Sequence, residues 1–470
     1  MSVSFEDDVS ACIIAGTRLH IDSRTVFEGA IGIREGRVSW IHAERQLRVE
    51  ERWPGTPVLD AGDADVIPGL VDAHVHLRDP GQTHKEDVGT GTRAAAAGGV
   101  TTIVAQPNTV PEIADLEALH VVHERIRQAA VVDVGVAARL PWRDEGMSRD
   151  LARAGVCIFD VTFSGVPHHE LPIALELAAE LNVPLGIYAE DPDVVRYNRS
   201  VAGSLAGARG DARVLSPQAE ASACQRVLSW LVDIPATVLF RQVSSRRALE
   251  ALLDARASGR YPPFGIEVTP HHVTLDVSRV DEVGERARIW PPLRRRADVE
   301  FAWNALRDGG IDLVGSDHSP HASVEKDRPH DHPDGVPPPG FPGLETALAA
   351  LLTGPHSGHP GLELQRIIEV YAEAPARWMG LADRKGSLRV GADADAVIVD
   401  TATHRVVDAD AQLTKSKTSP FHGMALRGKV LAAVVRGETV YRDGSITVPS
   451  RRPDALLRIS HGSPPSGKVA

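Results

Sequence analysis

From Ile67 to Ser316 the chain alternates short runs rich in β-branched residues with longer stretches rich in Ala, Leu and Glu. Such alternation marks repeated strand–helix units and a parallel sheet, because a parallel neighbour can only be reached through a long crossover. The strand candidates, in order, are 67–73, 101–106, 131–137, 156–160, 184–188, 237–242, 265–269 and 312–316. About eight such units close a (β/α)8 ring, the TIM barrel, and that α/β architecture is the fold expected here. In a barrel of this kind the chemistry collects at the carboxyl ends of the strands.

The first strand lies in Ile67 to Gly81, IPGLVDAHVHLRDPG. Side chains alternate along a strand with period two, so His74 and His76 share one face at its end and supply half of a metal site. Arg78 and Asp79 follow, and Pro80-Gly81 turns the chain. The eighth strand ends in Gly315-Ser316-Asp317-His318-Ser319-Pro320-His321. A carboxylate there can ligate a metal through one oxygen while the other takes a proton from water, which makes Asp317 the candidate general base. Its plainer role would be a helix N-cap. The fourth strand ends on a further carboxylate, Asp160.

The segments PGLVDAHVHLRDPG, THKEDVGTGTRAAAAGGVTT and QPNT closely resemble the cyclic amidohydrolases of the amidohydrolase superfamily, dihydroorotase first and allantoinase or hydantoinase second. The resemblance runs from about Val66 to the Gly386 region and is weaker in both flanks. It implies a metal-dependent barrel beside a small composite β-sandwich, and hydrolysis or reverse cyclisation of a ring C–N bond. It also implies that Arg78, Asn108 and His321 grip a substrate carboxylate. A guanidinium fork matches a planar carboxylate in a way that an ammonium does not, so the substrate expected is an anionic cyclic ureide or imide. Thr269 to His272 and Pro291 to Arg294 match segments that shape the ring pocket, although Pro291-Pro292 would also serve to hold an extended loop.

The metal side departs from the pattern. Many relatives carry a carbamylated lysine on the fourth strand, and this chain has Asp160, so a bridging lysine is excluded. Histidines on the fifth and sixth strands are replaced by Tyr188 and Gln242, which are poor ligands for a transition metal. The expectation is one divalent ion, zinc or manganese, on His74, His76, Asp160 and Asp317, with a second site recoverable by Tyr188→His and Gln242→His. His168 and His169 could substitute for a lost imidazole but read as a solvated loop pair. His330 and His332 form another His-x-His, with no strand before them. Three functions stay open: a one-metal cyclic amidohydrolase, an inactive homologue scaffolding a partner such as aspartate carbamoyltransferase, or a specialised biosynthetic cyclisation.

Short strands with turns fill 1–65 and reappear in 386–449; neither set can build a core alone, so together they are expected to make the sandwich beside a barrel of 66–385. Residues 450–470 read as a flexible tail. A net charge of -12 and a pI near 5.9 argue against nucleic-acid or anionic-membrane partners. Cys12, Cys157 and Cys224 are too scattered for a disulfide framework, and no signal-like or membrane-spanning run is present. A cytoplasmic homo-oligomer is the expectation.

Overall fold

The computed structural model describes residues 12–203, 206–327, 335–355, 358–450, 455–456 and 458. Eight parallel strands follow one another around a barrel: Leu70–Val75, Val100–Ala105, Asp133–Arg139, Ile158–Thr162, Leu185–Tyr188, Val238–Arg241, Phe264–Val268 and Leu313–Val314. A bridge from Val75 to His318 brings the last back to the first. All eight expected strands are there, shifted by up to two residues at their starts except the first. The first strand is buried along its whole length, as parallel strands covered on both faces are.

The expected strand 67–73 is two strands. Asp65–Pro68 pairs antiparallel with Ala396–Val406, and the chain enters the barrel only at Leu70. Gly69 sits at the change, where a Cβ would run into the Thr101 side chain. Asp65–Pro68 joins Cys12–His20 on its other side, so strands from both ends of the chain form one nine-stranded sheet. Its apolar face holds Ile14, Leu19, Ile31, Val66, Ile398 and Val434. Sheet and barrel are tied at the amino-terminal end of the third barrel strand. There the buried Lys385 ammonium contacts Asp133 and reaches Asp393 at 2.8 Å and Asp395 at 2.7 Å. Charges at that end of a barrel serve stability.

Of residues 450–470, four are described: 450, 455, 456 and 458. Ala455–Leu456 pairs parallel with Val134 and Gly135, and Arg458 donates to the carbonyl oxygens of Cys157 and Trp378. Leu456 is buried against the barrel, which an extended apolar side chain achieves wherever a strand edge is open. Cys12, Cys157 and Cys224 are free thiols. Among the described residues no helix is long and apolar enough to cross a membrane.

Candidate active site

His74 is the penultimate residue of the first barrel strand and His76 lies just past its end. The buried Asp72 carboxylate fixes this strand to the eighth, accepting from the N–H of His74 at 3.0 Å, the N–H of Ser316 at 3.1 Å and the Tyr371 hydroxyl at 2.6 Å. The His76 N–H donates to His318 O at 2.8 Å, which carries the pairing on to Asp317. Arg78, Gln242 and Asp317 all have left-handed backbones, with φ of 59°, 52° and 45°. Few side chains tolerate that conformation, and it turns each of these out of its strand and into the barrel mouth.

Both imidazoles direct Nδ1 away from the centre. His74 Nδ1 donates to Glu267 Oε1 at 2.7 Å, and His76 Nδ1 donates to Asn108 Oδ1 at 2.6 Å. Both acceptors lack a proton to give back, so the Nε2 lone pairs are left facing inward. They meet Asp317 Oδ1, which lies 3.1 Å from His76 Nε2 and 3.6 Å from His74 Nε2. Two imidazoles and one carboxylate whose ligand atoms converge on one buried point could hold a metal ion. Burial opposes ionisation of Asp317, but the His76 contact and both neighbouring rings outweigh it and lower its pKa to about 2. Burial holds the His76 pKa below its ordinary value; at His74 the Glu267 carboxylate overcomes burial and raises it.

Asp160, expected as a fourth ligand, lines the same cavity but is not brought into that trio. Its Oδ1 accepts from Nε and Nη2 of the buried Arg241, both at 3.3 Å, because the guanidinium offers the nearest compensation for a carboxylate with no access to water. Tyr188 places its hydroxyl 2.9 Å from His74 Nε2 and 3.2 Å from Gln106 Oε1. Burial raises the phenol well above its ordinary pKa, so it stays neutral. Gln242 lines the cavity on the adjacent strand.

The substrate side is a cavity of about 350 Å³ that also includes Arg78, Asn108, Arg139, Trp290 and His321. Arg78 is fixed by donation to Ser319 Oγ at 2.7 Å and to Pro320 O at 3.3 Å. Burial lowers its pKa to about 10, which leaves it cationic at neutral pH. Asn108 therefore has two tasks, orienting His76 and lining the cavity. His271 and His272 are buried behind it; His272 bonds Thr269 Oγ1 at 2.8 Å and Pro291 O at 2.9 Å, and so ties the two segments together. Arg294 is spent on Ser244, Leu215 and Glu220.

His168 and His169 stand elsewhere. His168 gathers with Asp191 and Asp193, but Arg226 fills that cluster, donating to His168 Nε2 at 2.8 Å and pairing with Asp191 at 3.1 Å. His330 and His332 lie outside the described residues. Sequence reasoning missed Arg139, Arg241 and Glu267. The first two end their strands, and a polar residue at a strand's carboxyl end was the signal available.

A parallel barrel with a two-histidine, one-carboxylate mouth and an arginine-lined cavity defines an amidohydrolase-type enzyme. The dihydro-orotase-like family model matches residues 64–220, and the amidohydrolase family model matches 256–440. A dihydroorotase of Anaplasma phagocytophilum is 34% identical over 82% of this chain and 85% of its own. One of Halobacterium salinarum is 36% identical over 88% and 96%. The solved L-hydantoinase of Arthrobacter aurescens superposes with a TM-score of 0.88 at 26% identity, over 96% of this chain and 100% of its own. The chain belongs to the dihydroorotase-like amidohydrolases, metal-dependent hydrolases of cyclic amide C–N bonds.

Proposed function

We propose that this enzyme opens, or closes in reverse, the ring of an anionic cyclic ureide or imide of the dihydroorotate type, using one divalent ion. The observation that carries this reading is the convergence of His74 Nε2, His76 Nε2 and Asp317 Oδ1 beside the Arg78 guanidinium. His74, His76 and Asp317 would hold the ion, zinc or manganese; bound there, it supplies Lewis acidity to the ring carbonyl and to a water. Asp317, ionised at neutral pH, accepts the proton of the attacking water. As the new C–O bond forms and the ring C–N bond breaks, that proton passes to the departing nitrogen. Arg78, with Asn108 and His321 beside it, receives the substrate carboxylate and so orients the ring. We propose a cytoplasmic homo-oligomer as the working form, with a carbamoyltransferase as the partner to seek by co-purification. An inactive scaffold would need none of these converging contacts, and no observation favours it.

The test is Asp317→Asn in a ring-closing and ring-opening assay with carbamoyl-aspartate and dihydroorotate, in added zinc or manganese. The amide keeps the shape but cannot take the proton, so turnover should fall by about 10³-fold or more with the melting temperature little changed. Equal rates in wild type and variant would remove Asp317 from the reaction.

A further inference from the structure

Arg241 ends the sixth barrel strand, and its side chain has no exposure to solvent. Its guanidinium donates through Nη1 to Glu267 Oε2 at 2.7 Å and to Ala73 O at 3.1 Å, and through Nε and Nη2 to Asp160 Oδ1. Glu267 passes the contact on, because its other oxygen holds His74 Nδ1. Strand five makes room for this pair: at Gly186 a Cβ would run into both Asp160 Oδ1 and Arg241 Nε. A fully buried cation has therefore been built in between two carboxylates, Asp160 and Glu267, and these with Asp317 are the acidic groups that act on the Tyr188 phenol.

We propose that Arg241 is a positioning residue serving as a fixed second cation: it locks Glu267, and through it His74, and it limits the site to one exchangeable divalent ion. The inference rests on His74, His76 and Asp317 being the ligands of that ion. With neutral imidazoles, the three carboxylates and the buried guanidiniums of Arg241 and Arg78 already carry a net positive charge when a single divalent ion binds. A second divalent ion would add two more charges to a poorly solvated interior, and Arg241 is the cation that raises this repulsion on the side of Glu267 and Asp160. The loss of imidazoles at Tyr188 and Gln242 is then one half of a change whose other half is Arg241. Restoring the two histidines alone should not restore a second ion, contrary to what the sequence suggests.

The experiment counts metal on purified, zinc-equilibrated protein by elemental analysis, independently of turnover. Wild type should hold about one zinc per chain, and Tyr188→His with Gln242→His should still hold about one. Adding Arg241→Met to that pair should raise the count to about two; adding Arg241→Lys, which keeps a buried cation, should leave it at about one. Two zinc ions in the double variant with Arg241 intact would overturn the inference, as would two in the Lys form. The double variant keeps the Arg241 network whole, so its count decides even where the Met form does not fold. No zinc in any form would overturn the ligand assignment and this inference with it, whereas one in wild type and two in the double variant overturns this inference alone.

Discussion

The two halves of the barrel mouth handle charge in opposite ways. Around His74, His76 and Asp317, three ligand atoms converge, with Asp317 Oδ1 3.1 Å and 3.6 Å from the two Nε2 atoms, and among the described residues Arg78 is a cation of the same cavity. Around Arg241 a protein cation is in place: Glu267 Oε2 and Asp160 Oδ1 receive from one guanidinium, which also caps Ala73 O, while Asp160 Oδ2 is buried without a hydrogen-bond partner. The first half offers three ligand atoms that could hold a metal ion, and the second carries its cation in the sequence. Glu267 joins them, accepting from His74 with one oxygen and from Arg241 with the other. Backbone geometry follows the same division. Asp317 leaves its strand through a left-handed residue, whereas Arg241 stays within a regular strand and reaches inward by side-chain length.

The comparison breaks most sharply at His76 and Asp160. Replacing His76 by Ala removes a converging lone pair and should cut bound zinc well below one per chain, with turnover lower by about 10³-fold. Asp160→Asn should leave the zinc count at one and instead lower the melting temperature, because it weakens a buried ion pair whose rupture typically costs about 3–5 kcal/mol. A loss of zinc in Asp160→Asn would return Asp160 to the ligand set and erase the distinction between the halves.

A pH-dependent effect comes from imidazoles on the substrate side and behind it. Burial pushes the pKa values of His321 and His272 down to about 4, against about 6.5 in the unfolded chain. Between those values the unfolded chain binds the protons and the folded chain does not, so stability is greater above pH 6.5 and is lost as pH falls toward 4. Each histidine contributes a slope of about 1.4 kcal/mol per pH unit inside that window. Chemical denaturation of the metal-free protein at pH 7 and pH 5 should show the loss, and His321→Gln should reduce it. A profile flat between these pH values would mean that the imidazoles are protonated in the fold.

The barrel was legible because its signals are local: buried parallel strands spell continuous apolar runs, and their spacing survives boundary errors of a residue or two. The composite sheet was legible because neither flank could cover its own strands. His74, His76 and Asp317 followed from position at strand ends and from family resemblance. Three things did not follow. The break at Gly69 depends on a contact with Thr101, thirty-odd residues away, which no local pattern encodes. The docking of Leu456 depends on an open edge at Val134 and Gly135, three hundred residues earlier in the chain. The pairing of Asp160 Oδ1 with Arg241 was not legible because the partner lies on another strand, and a carboxylate beside a guanidinium looks the same in sequence as one beside a metal.

Ring selectivity bears most directly on the function. Wild-type enzyme with zinc would be assayed on dihydroorotate and on dihydrouracil, the same ring without the carboxylate, with carbamoyl-aspartate used to follow closure. Arg78 held by Ser319 and Pro320 at the cavity wall should favour the anionic ring by about 10²-fold or more in kcat/KM, since a fixed guanidinium left without its carboxylate loses charge-assisted hydrogen bonds. Equal turnover of the two rings, or preference for the neutral one, would contradict an enzyme built for an anionic substrate.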